Sequence, residues 1–174
     1  EKYSFEVINL QNNSPLGFGE NHNNAFQYFK TSFFCVMNPD IEIIDDPFTV
    51  LISCLNDSSI AVVAPLITNA EGVREDNARF FPTPFKIVNK VFFKKYDYYP
   101  INKDKEVDFP DWVAGMFLLF SANKYNDLNG FDKKYFLYYE DVDICTRIWR
   151  GGDKVAFTSR VSAIHNARRA SHND

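Results

Sequence analysis

Two continuous apolar runs constrain the fold of this chain most strongly. Residues 33–37 (FFCVM) and 60–67 (IAVVAPLI) contain no polar side chain, a pattern typical of strands that are buried on both faces. Between them, residues 46–56 are predicted to form a helix that starts at Asp45-Asp46-Pro47, where Asp suits a helix cap and Pro suits the first turn. Strand, helix and strand in this order predict an α/β sheet. Ligands of such sheets bind at the carboxyl ends of the strands.

The rest of the chain extends this pattern around one long irregular connection. Residues 68–111 are rich in charge, Pro and Tyr, and a connection of this length in a compact domain is usually functional or disordered. The other predicted elements are strands at 5–10 and 112–122, helices at 20–30, 123–129 and 140–150, and two short strands at 154–159 and 161–166. We predict a mixed, mostly parallel sheet with helices on both faces, in a single domain covering residues 1–174.

The composition argues against two classes of function. The net charge of −4 leaves no basic surface for nucleic acid, and the chain has no apolar run of about 18 residues, the length that spans a membrane. Cys35, Cys54 and Cys145 are odd in number and far apart, so we expect free, buried thiols in a reducing, cytoplasmic compartment. The 18 Phe and 9 Tyr predict either a well-filled core or a cleft lined with rings.

Three carboxylates, Glu140, Asp141 and Asp143, open the helix predicted at 140–150. One interpretation is structural, because acidic side chains stabilise the first turn of a helix and Asp143 lies four residues before Arg147. The other is catalytic, because the preceding Phe-Leu-Tyr-Tyr would desolvate a carboxylate and raise its pKa toward that of a general base. Composition alone favours the structural interpretation, which explains Asp143 better than it explains the adjacent pair.

A polar tip, Asn38-Pro39-Asp40, ends the first buried run. It is either a plain turn or a site for Mg²⁺ or Mn²⁺, which bind oxygen ligands and share their shell with substrate phosphates. His165, after the last apolar run, is either a satisfied surface histidine or an imidazole ligand that completes such a site. Arg168 and Arg169 follow closely, and either could pair with a phosphate.

A second candidate phosphate site is the stretch GFGENHNN at residues 17–24, where two glycines precede a predicted helix. The helix N-terminus could hold a phosphate group there. The spacing matches neither the dinucleotide fingerprint nor the P-loop, which favours a structural turn instead.

The order of these motifs resembles family 2 glycosyltransferases of the GT-A fold, most closely the bacterial branch that includes rhamnosyltransferases of cell-surface polysaccharide synthesis. The matching stretches cover nearly the whole chain. They are LGFGENHNNAF (16–26), FFCVMNPDI (33–41), VVAPLITNAEG (62–72), the block from Trp112 to Gly152, and VSAIHN (161–166). The block from Trp112 to Gly152 is the longest and most specific of them.

The resemblance implies an inverting transfer of a sugar from a nucleotide-diphosphate donor, dTDP-rhamnose or a UDP-sugar, to an acceptor hydroxyl. It places the general base at Asp141, beside Glu140, and the ligands of Mg²⁺ or Mn²⁺ at Asp40 and His165. The Asp-x-Asp motif usual in the family is here Asn38-Pro39-Asp40, so only Asp40 brings a charge. The resemblance further implies donor-diphosphate contacts at Asn38, Gly17, Asn24, Arg168 and Arg169, and acceptor contacts at Trp112 and Gly115.

The resemblance also implies that the first nucleotide-binding strands of the fold are missing, because the chain lacks an initial Met and begins at what resembles the third strand. We therefore expect the metal- and acceptor-binding part of the fold, with an exposed sheet edge through which copies could pair into a homo-oligomer. The expected acceptor is a saccharide or a lipid-linked saccharide, met in the cytoplasm or at the inner face of the membrane. The alternative function is a catalytically inactive carbohydrate- or nucleotide-binding domain on the same scaffold.

Overall fold

The computed structural model describes residues 10–12, 14–28, 30–82, 99–102 and 105–166. The helices are α1 (Phe18–Phe26), α2 (Phe48–Leu55), α3 (Ala122–Asp127) and α4 (Glu140–Arg150). The strands are β1 (Phe33–Met37), β2 (Ile41–Glu42), β3 (Ile60–Thr68), β4 (Ala78–Arg79), β5 (Trp112–Val113), β6 (Phe117–Ser121) and β7 (Lys154–His165). The strand predicted at 5–10 lies outside the described residues.

The central sheet has the strand order β1-β6-β3-β7-β2. β3 and β7 pair in parallel, whereas β1 with β6, β6 with β3, and β7 with β2 pair antiparallel. The prediction of a mostly parallel sheet is therefore wrong, because β6 lies between β1 and β3 and runs against both. β1, β3 and β7 nevertheless point the same way, so their carboxyl ends meet at one edge. A small second sheet pairs β4 with β5.

Helices cover both faces of the central sheet, as predicted. On one face, α2 shares a buried cluster with Phe117 and Leu119 of β6. On the other face, α1, α3 and α4 pack in a cluster that contains Leu118 and Phe120 of the same strand. Because side chains alternate along a strand, β6 is buried on both faces and carries an unbroken apolar sequence.

Helix α2 runs over Phe48–Leu55, two residues shorter at its start and one residue shorter at its end than the predicted 46–56. Asp46 accepts hydrogen bonds from the backbone N of Phe48 at 2.9 Å and from the hydroxyl of Thr49 at 3.2 Å. These bonds satisfy donors that a first helical turn leaves free. The helix predicted at 20–30 instead runs over Phe18–Phe26, and the one predicted at 140–150 has the predicted bounds.

Two predicted strand regions have different boundaries in the structure. Residues 112–122 are divided by a turn at 114–116 into β5, in the small sheet, and β6, in the central sheet. Residues 154–165 form the single strand β7 rather than two strands. Its pairing with β3 is irregular, since Pro65 lies opposite Thr158 but Leu66 lies opposite Ser162. Proline has no N–H to donate to a ladder, so an irregularity beside Pro65 loses little pairing.

The aromatic residues fill the core, which was one of the two predicted alternatives. Tyr125 of α3 lies at the centre of an aromatic cluster, with ring centroids 4.8 to 5.8 Å from those of Phe26, Phe34, Phe120 and Phe131. Most of these pairs meet edge to face, the arrangement that ring quadrupoles favour. The cluster fixes α1 and α3 on β1 and β6, which lead into the polar edge of the sheet.

The three cysteines are free, as predicted. Cys54 and Cys145 are buried, whereas Cys35 is only half-buried. Burial raises the pKa of both Cys35 and Cys145 to about 12, so neither thiol is ionised at neutral pH. Within the described ranges, no helix combines the length and the apolar character that a membrane crossing requires.

Replacing Asn23 with Ala should destabilise the fold by about 2 to 4 kcal/mol, because it leaves several polar groups without partners. Asn23 accepts hydrogen bonds from the Tyr125 hydroxyl (2.7 Å) and from the Phe131 backbone N (2.9 Å), and it donates to the Phe131 carbonyl (2.8 Å). Denaturant unfolding measures the change. The exposed Asn123→Ala variant is the control, and an equal midpoint for the two variants would contradict the role of Asn23.

Candidate active site

The polar tip after β1 is a turn whose ends are fixed to the last strand. Ile41 N donates a hydrogen bond to the carbonyl oxygen of Asn38 at 3.2 Å, and Asn166 N donates to the carbonyl oxygen of Asp40 at 2.8 Å. In addition, Ile41 of β2 pairs directly with His165 of β7. The polar tip is thus a turn, and it brings Asp40 beside His165.

The side chains of Asp40 and His165 face each other at the carboxyl edge of the sheet. His165 Nε2 lies 3.3 Å from Asp40 Oδ2. The other oxygen, Asp40 Oδ1, is buried and has no hydrogen-bond partner among the described residues. On the opposite side of the ring, His165 Nδ1 lies 2.8 Å from Oε2 of Glu75. A buried carboxylate oxygen without a donor, next to an imidazole, suits a divalent cation.

The spacing of Asp40 and His165 fits two neighbouring ligands of one ion. Ligand bonds of about 2.1 Å at right angles would separate the two ligand atoms by about 3 Å, which is close to the observed 3.3 Å. Within the part of the chain that the structure describes, no cluster of three or more His, Cys, Asp or Glu side chains could hold a metal ion by itself. Two protein ligands of this kind suit an ion whose remaining ligands are water and phosphate oxygens.

The carboxylate pair Glu140-Asp141 begins α4, directly after two residues in the left-handed conformation. Tyr138 and Tyr139 have φ angles of 70° and 68°, which are strained for bulky side chains and concentrate at functional sites. Asp141 Oδ2 accepts a hydrogen bond from the backbone N of Gly115 at 3.2 Å. Glu140 is buried, and its Oε2 has no partner among the described residues.

Burial raises the pKa of both carboxyl groups, as predicted for a general base. The negative charge of Asp141 further raises the pKa of Glu140. For Asp141, the hydrogen bond from Gly115 and the positive charge of Arg79 oppose the effect of burial on the pKa. Both groups therefore hold a proton more readily than exposed carboxylates do.

The predicted cause of this desolvation is wrong, because the aromatic run before the pair is exposed. The exposed fractions are 62% for Phe136, 73% for Tyr138 and 63% for Tyr139. Helix α4 packs against β5 and β7, and its residues Ile144, Cys145 and Ile148 are buried in the core. The aromatic run remains as an exposed apolar surface beside the carboxylates.

The turn at 114–116 connects the two parts of the site. Gly115 N donates to the Asp141 carboxylate, and the carbonyl oxygen of Met116 accepts from Asn38 N at 2.9 Å. The Asp40–His165 pair and the Glu140-Asp141 pair are thus linked through two adjacent residues. Gly115, predicted to contact the acceptor, contributes its backbone N–H to Asp141.

Asp143 has the structural role that its spacing predicts. Its Oδ2 lies 2.8 Å from Nε of Arg147, and the same guanidinium donates to the carbonyl oxygens of Leu128 and Gly130, each at 2.8 Å. These contacts attach α4 to the chain that follows α3. The three acidic residues of the first turn therefore differ in their surroundings.

Two other predicted residues contact protein groups. A Cβ atom on Gly17 would lie 2.6 Å from the carbonyl oxygen of Phe136, so this glycine permits a close backbone contact, as a structural turn requires. Trp112 is half-buried and donates from Nε1 to the carbonyl oxygen of Phe80 at 3.0 Å. The guanidinium carbon of Arg79 lies 5.0 Å from the Trp112 ring centroid.

The other residues predicted to contact the donor are Asn24, Arg168 and Arg169. Asn24 is half-buried on α1, and in the sequence this helix is separate from the residues that follow β1 and end β7. Arg168 and Arg169 lie outside the described residues. Glu75, in contrast, was not predicted to have a functional role. Asn69 and Gly72, which precede it, are typical turn residues and indicate in the sequence that the chain turns there.

The central sheet and its helices match a known fold. A crystal structure of GalNAc-T7 with UDP, GalNAc and Mn²⁺ superposes with a TM-score of 0.66, at 15% sequence identity, over 90% of this chain and 32% of that chain. The fold is therefore that of GT-A glycosyltransferases, which confirms the predicted fold class apart from the direction of strand pairing.

Sequence comparison finds relatives whose names describe the transfer of sugars. The chain is 29% identical to rhamnosyltransferase WbbL of Escherichia coli (strain K12), over 87% of this chain and 61% of WbbL. It is 26% identical to the low-salt glycan biosynthesis hexosyltransferase Agl10 of Haloferax volcanii, over 75% of this chain and 41% of Agl10. No family model matches. The chain is thus similar in sequence to a rhamnosyltransferase and a hexosyltransferase and has the fold of GT-A glycosyltransferases; it spans about three fifths of WbbL.

Replacing Glu140 with Gln should stabilise the protein at pH 7. The raised pKa of Glu140 means that its charged form opposes folding at neutral pH, and this cost disappears as the pH falls through the folded-state pKa toward the ordinary value of about 4.3. The gain in melting temperature should therefore shrink as the pH is lowered to about 4. Exposed Glu71→Gln is the control, and a gain that does not change with pH would contradict the assignment.

Proposed function

We propose that this chain carries the catalytic edge of an inverting glycosyltransferase that moves a sugar from a nucleotide-diphosphate donor to an acceptor hydroxyl. One observation carries the proposal: Gly115 and Met116 link the buried carboxylate of Asp141 to the turn that brings Asp40 beside His165. A proton acceptor and a site for the donor diphosphate are the two elements that such a transfer requires.

Asp141 is the proposed general base. Its raised pKa brings the carboxylate nearer to the pKa at which a base accepts a proton efficiently, while the Gly115 hydrogen bond keeps its Oδ2 in place. In the proposed reaction, Asp141 accepts the proton of the acceptor hydroxyl as the oxygen attacks the anomeric carbon. The bond from that carbon to the diphosphate breaks, and the configuration inverts. Glu140, whose side chain is almost fully buried, is the alternative proton acceptor.

Asp40 and His165 are proposed to hold Mg²⁺ or Mn²⁺ together with the donor diphosphate. The orphaned Asp40 Oδ1 and the 3.3 Å spacing of the pair support this assignment. When bound, the ion would neutralise charge on the leaving diphosphate. Asn38 lies on the same turn and is a proposed donor contact, as are Arg168 and Arg169 by their sequence position.

The substrates are proposed from the relatives and from the exposed side chains. A rhamnosyltransferase and a hexosyltransferase among the relatives favour dTDP-rhamnose as donor, with a UDP-hexose second. The exposed aromatic run at 135–139 offers ring faces to the apolar face of an acceptor sugar directly before Glu140. Trp112 is proposed to contribute only the ring face that Arg79 leaves uncovered. The proposed acceptor is a saccharide or lipid-linked saccharide of surface polysaccharide synthesis.

Replacing Asp141 with Asn in the full-length protein should reduce turnover about 100- to 10,000-fold, the usual contribution of a general base. Affinity for the donor should remain within about threefold, because Asp141 acts on the acceptor. Release of nucleoside diphosphate from dTDP-rhamnose, with UDP-hexoses tested in parallel and a saccharide-lipid extract as acceptor, measures the turnover.

The matched control for this experiment is Asp143→Asn in the same helical turn. It removes the ion pair with Arg147 and should affect stability more than turnover. Turnover that survives in Asp141→Asn but is lost in Glu140→Gln would assign the base to Glu140. Full turnover in both variants would exclude this carboxylate pair as the base, whereas an unmodified protein that binds donor without turnover would support the alternative of a non-catalytic binding domain.

Replacing Asp40 with Asn should weaken Mn²⁺ binding in the presence of dTDP by at least about tenfold, because the amide removes the charged ligand. Electron paramagnetic resonance of free Mn²⁺ measures the affinity. The exposed Asp45→Asn variant, which removes the same charge five residues away, should bind as the unmodified protein does. Equal affinities for all three proteins would contradict the assignment.

A further inference from the structure

Glu75 is placed beside His165 by a tight turn that follows β3. Asn69 Oδ1 accepts hydrogen bonds from the backbone N of Glu71 at 3.1 Å and of Val73 at 2.8 Å. Gly72 has a φ of 75°, a conformation that glycine adopts without strain. The turn reverses the chain so that Glu75 N donates to the carbonyl oxygen of Ile67 at 2.9 Å.

The register of β3 and β7 then determines which side chain Glu75 meets. Thr68 at the end of β3 lies opposite Ile164, the residue before His165. The returning segment therefore passes the end of β7, and Glu75 Oε2 comes within 2.8 Å of His165 Nδ1. Both side chains are shielded from water, with exposed fractions of 23% for Glu75 and 14% for His165. This partial burial strengthens a hydrogen bond to a charged acceptor.

The contact with Glu75 favours one tautomer of the neutral His165 imidazole. A carboxylate can only accept a hydrogen bond, so the Nδ1 atom of His165 must carry the proton that lies toward Glu75. In the neutral ring, Nε2 then presents its lone pair to the side where Asp40 Oδ2 lies at 3.3 Å. A lone pair and a carboxylate oxygen that face each other attract a cation to the space beside them.

We propose that Glu75 is a positioning residue: it holds His165 in the Nδ1-protonated form and in the orientation that makes Nε2 available, with Asp40, to a divalent cation. This proposal rests on the proposed metal site and adds the residue that prepares it. A carboxylate behind a histidine ligand raises the basicity of the ligand and restricts rotation of its ring. Glu75 itself does not contact the ion or the substrates.

The competing explanation is a structural ion pair. In that case the His165 ring only bridges Asp40 and Glu75 and holds the 68–75 turn against β2 and β7. The two explanations differ in whether Glu75 selects the ring nitrogen that carries the proton and in whether Glu75 affects a bound metal.

The test compares Glu75→Ala, Glu75→Gln and the exposed control Glu71→Ala in the full-length protein. Nitrogen–proton correlation spectra of the imidazole groups, recorded without metal at neutral pH, report the protonation of each ring nitrogen. We expect Nδ1–H in the unmodified protein and in Glu71→Ala, a shift of the proton toward Nε2 in Glu75→Ala, and recovery of Nδ1–H in Glu75→Gln, whose amide oxygen still accepts. Affinity for Mn²⁺ alone should fall about 10- to 100-fold in Glu75→Ala.

Each outcome of this test is decisive. An unchanged proton position on the His165 ring in Glu75→Ala overturns the positioning role. If Glu75→Ala shows the expected proton shift but the unmodified protein binds no Mn²⁺, the metal site of the proposed function is contradicted, while the effect of Glu75 on His165 stands. A Glu75→Ala protein that loses its fold gives no ring signal, and Glu75→Gln then decides: the proposal requires the Nδ1–H form and Mn²⁺ affinity within about threefold of the unmodified protein.

Discussion

The parallel pairing of β3 with β7 is the interaction on which the rest of the structure depends. It aligns the ends of the two strands, and the antiparallel strand β6 places the end of β1 at the same edge. The three strand ends supply the Asp40 turn, the Glu75 turn and His165. Because side chains from distant parts of the sequence meet there, the site exists only when the sheet is complete. The irregular pairing beside Pro65 changes which face of the sheet the odd-numbered side chains of β7 occupy. Val155 and Phe157 lie in one core cluster, whereas Val161 and Ala163 lie in the other.

Much of this fold could be predicted from local sequence. The runs at 33–37 and 60–67 are strands, and Asp46 at the start of α2 and the bounds of α4 are as predicted, because apolar patterns and helix ends are local properties. Strand direction could not be predicted, because β6 is separated from its neighbours by long stretches of chain. A strand buried on both faces has the same sequence pattern in a parallel and an antiparallel pair.

In the candidate site, too, some features could be predicted from the local sequence and others could not. Asp40, His165 and the Glu140-Asp141 pair were identified by residue type and order, and the structure brings Asp40 to His165 and Asp141 to the adjoining turn. Glu75 was missed, because only the register of β3 and β7 brings it to the histidine. The tyrosines before α4 were expected to desolvate the carboxylates, but they are largely exposed. In this chain, residue type indicates the chemistry and long-range pairing determines the partners.

Mn²⁺ broadens the signals of nearby amides according to their distance, so a nitrogen–proton spectrum of the labelled protein locates the ion relative to the proposed base. With substoichiometric Mn²⁺ and dTDP, the amides of residues 38, 40, 41 and 164–166 should broaden first, followed by those of 114–116 and 141–142. This order would place the ion and the proposed base at one edge of the sheet. Broadening centred on the exposed acidic residues 45–46, or spread evenly over the surface, would exclude a shared site there.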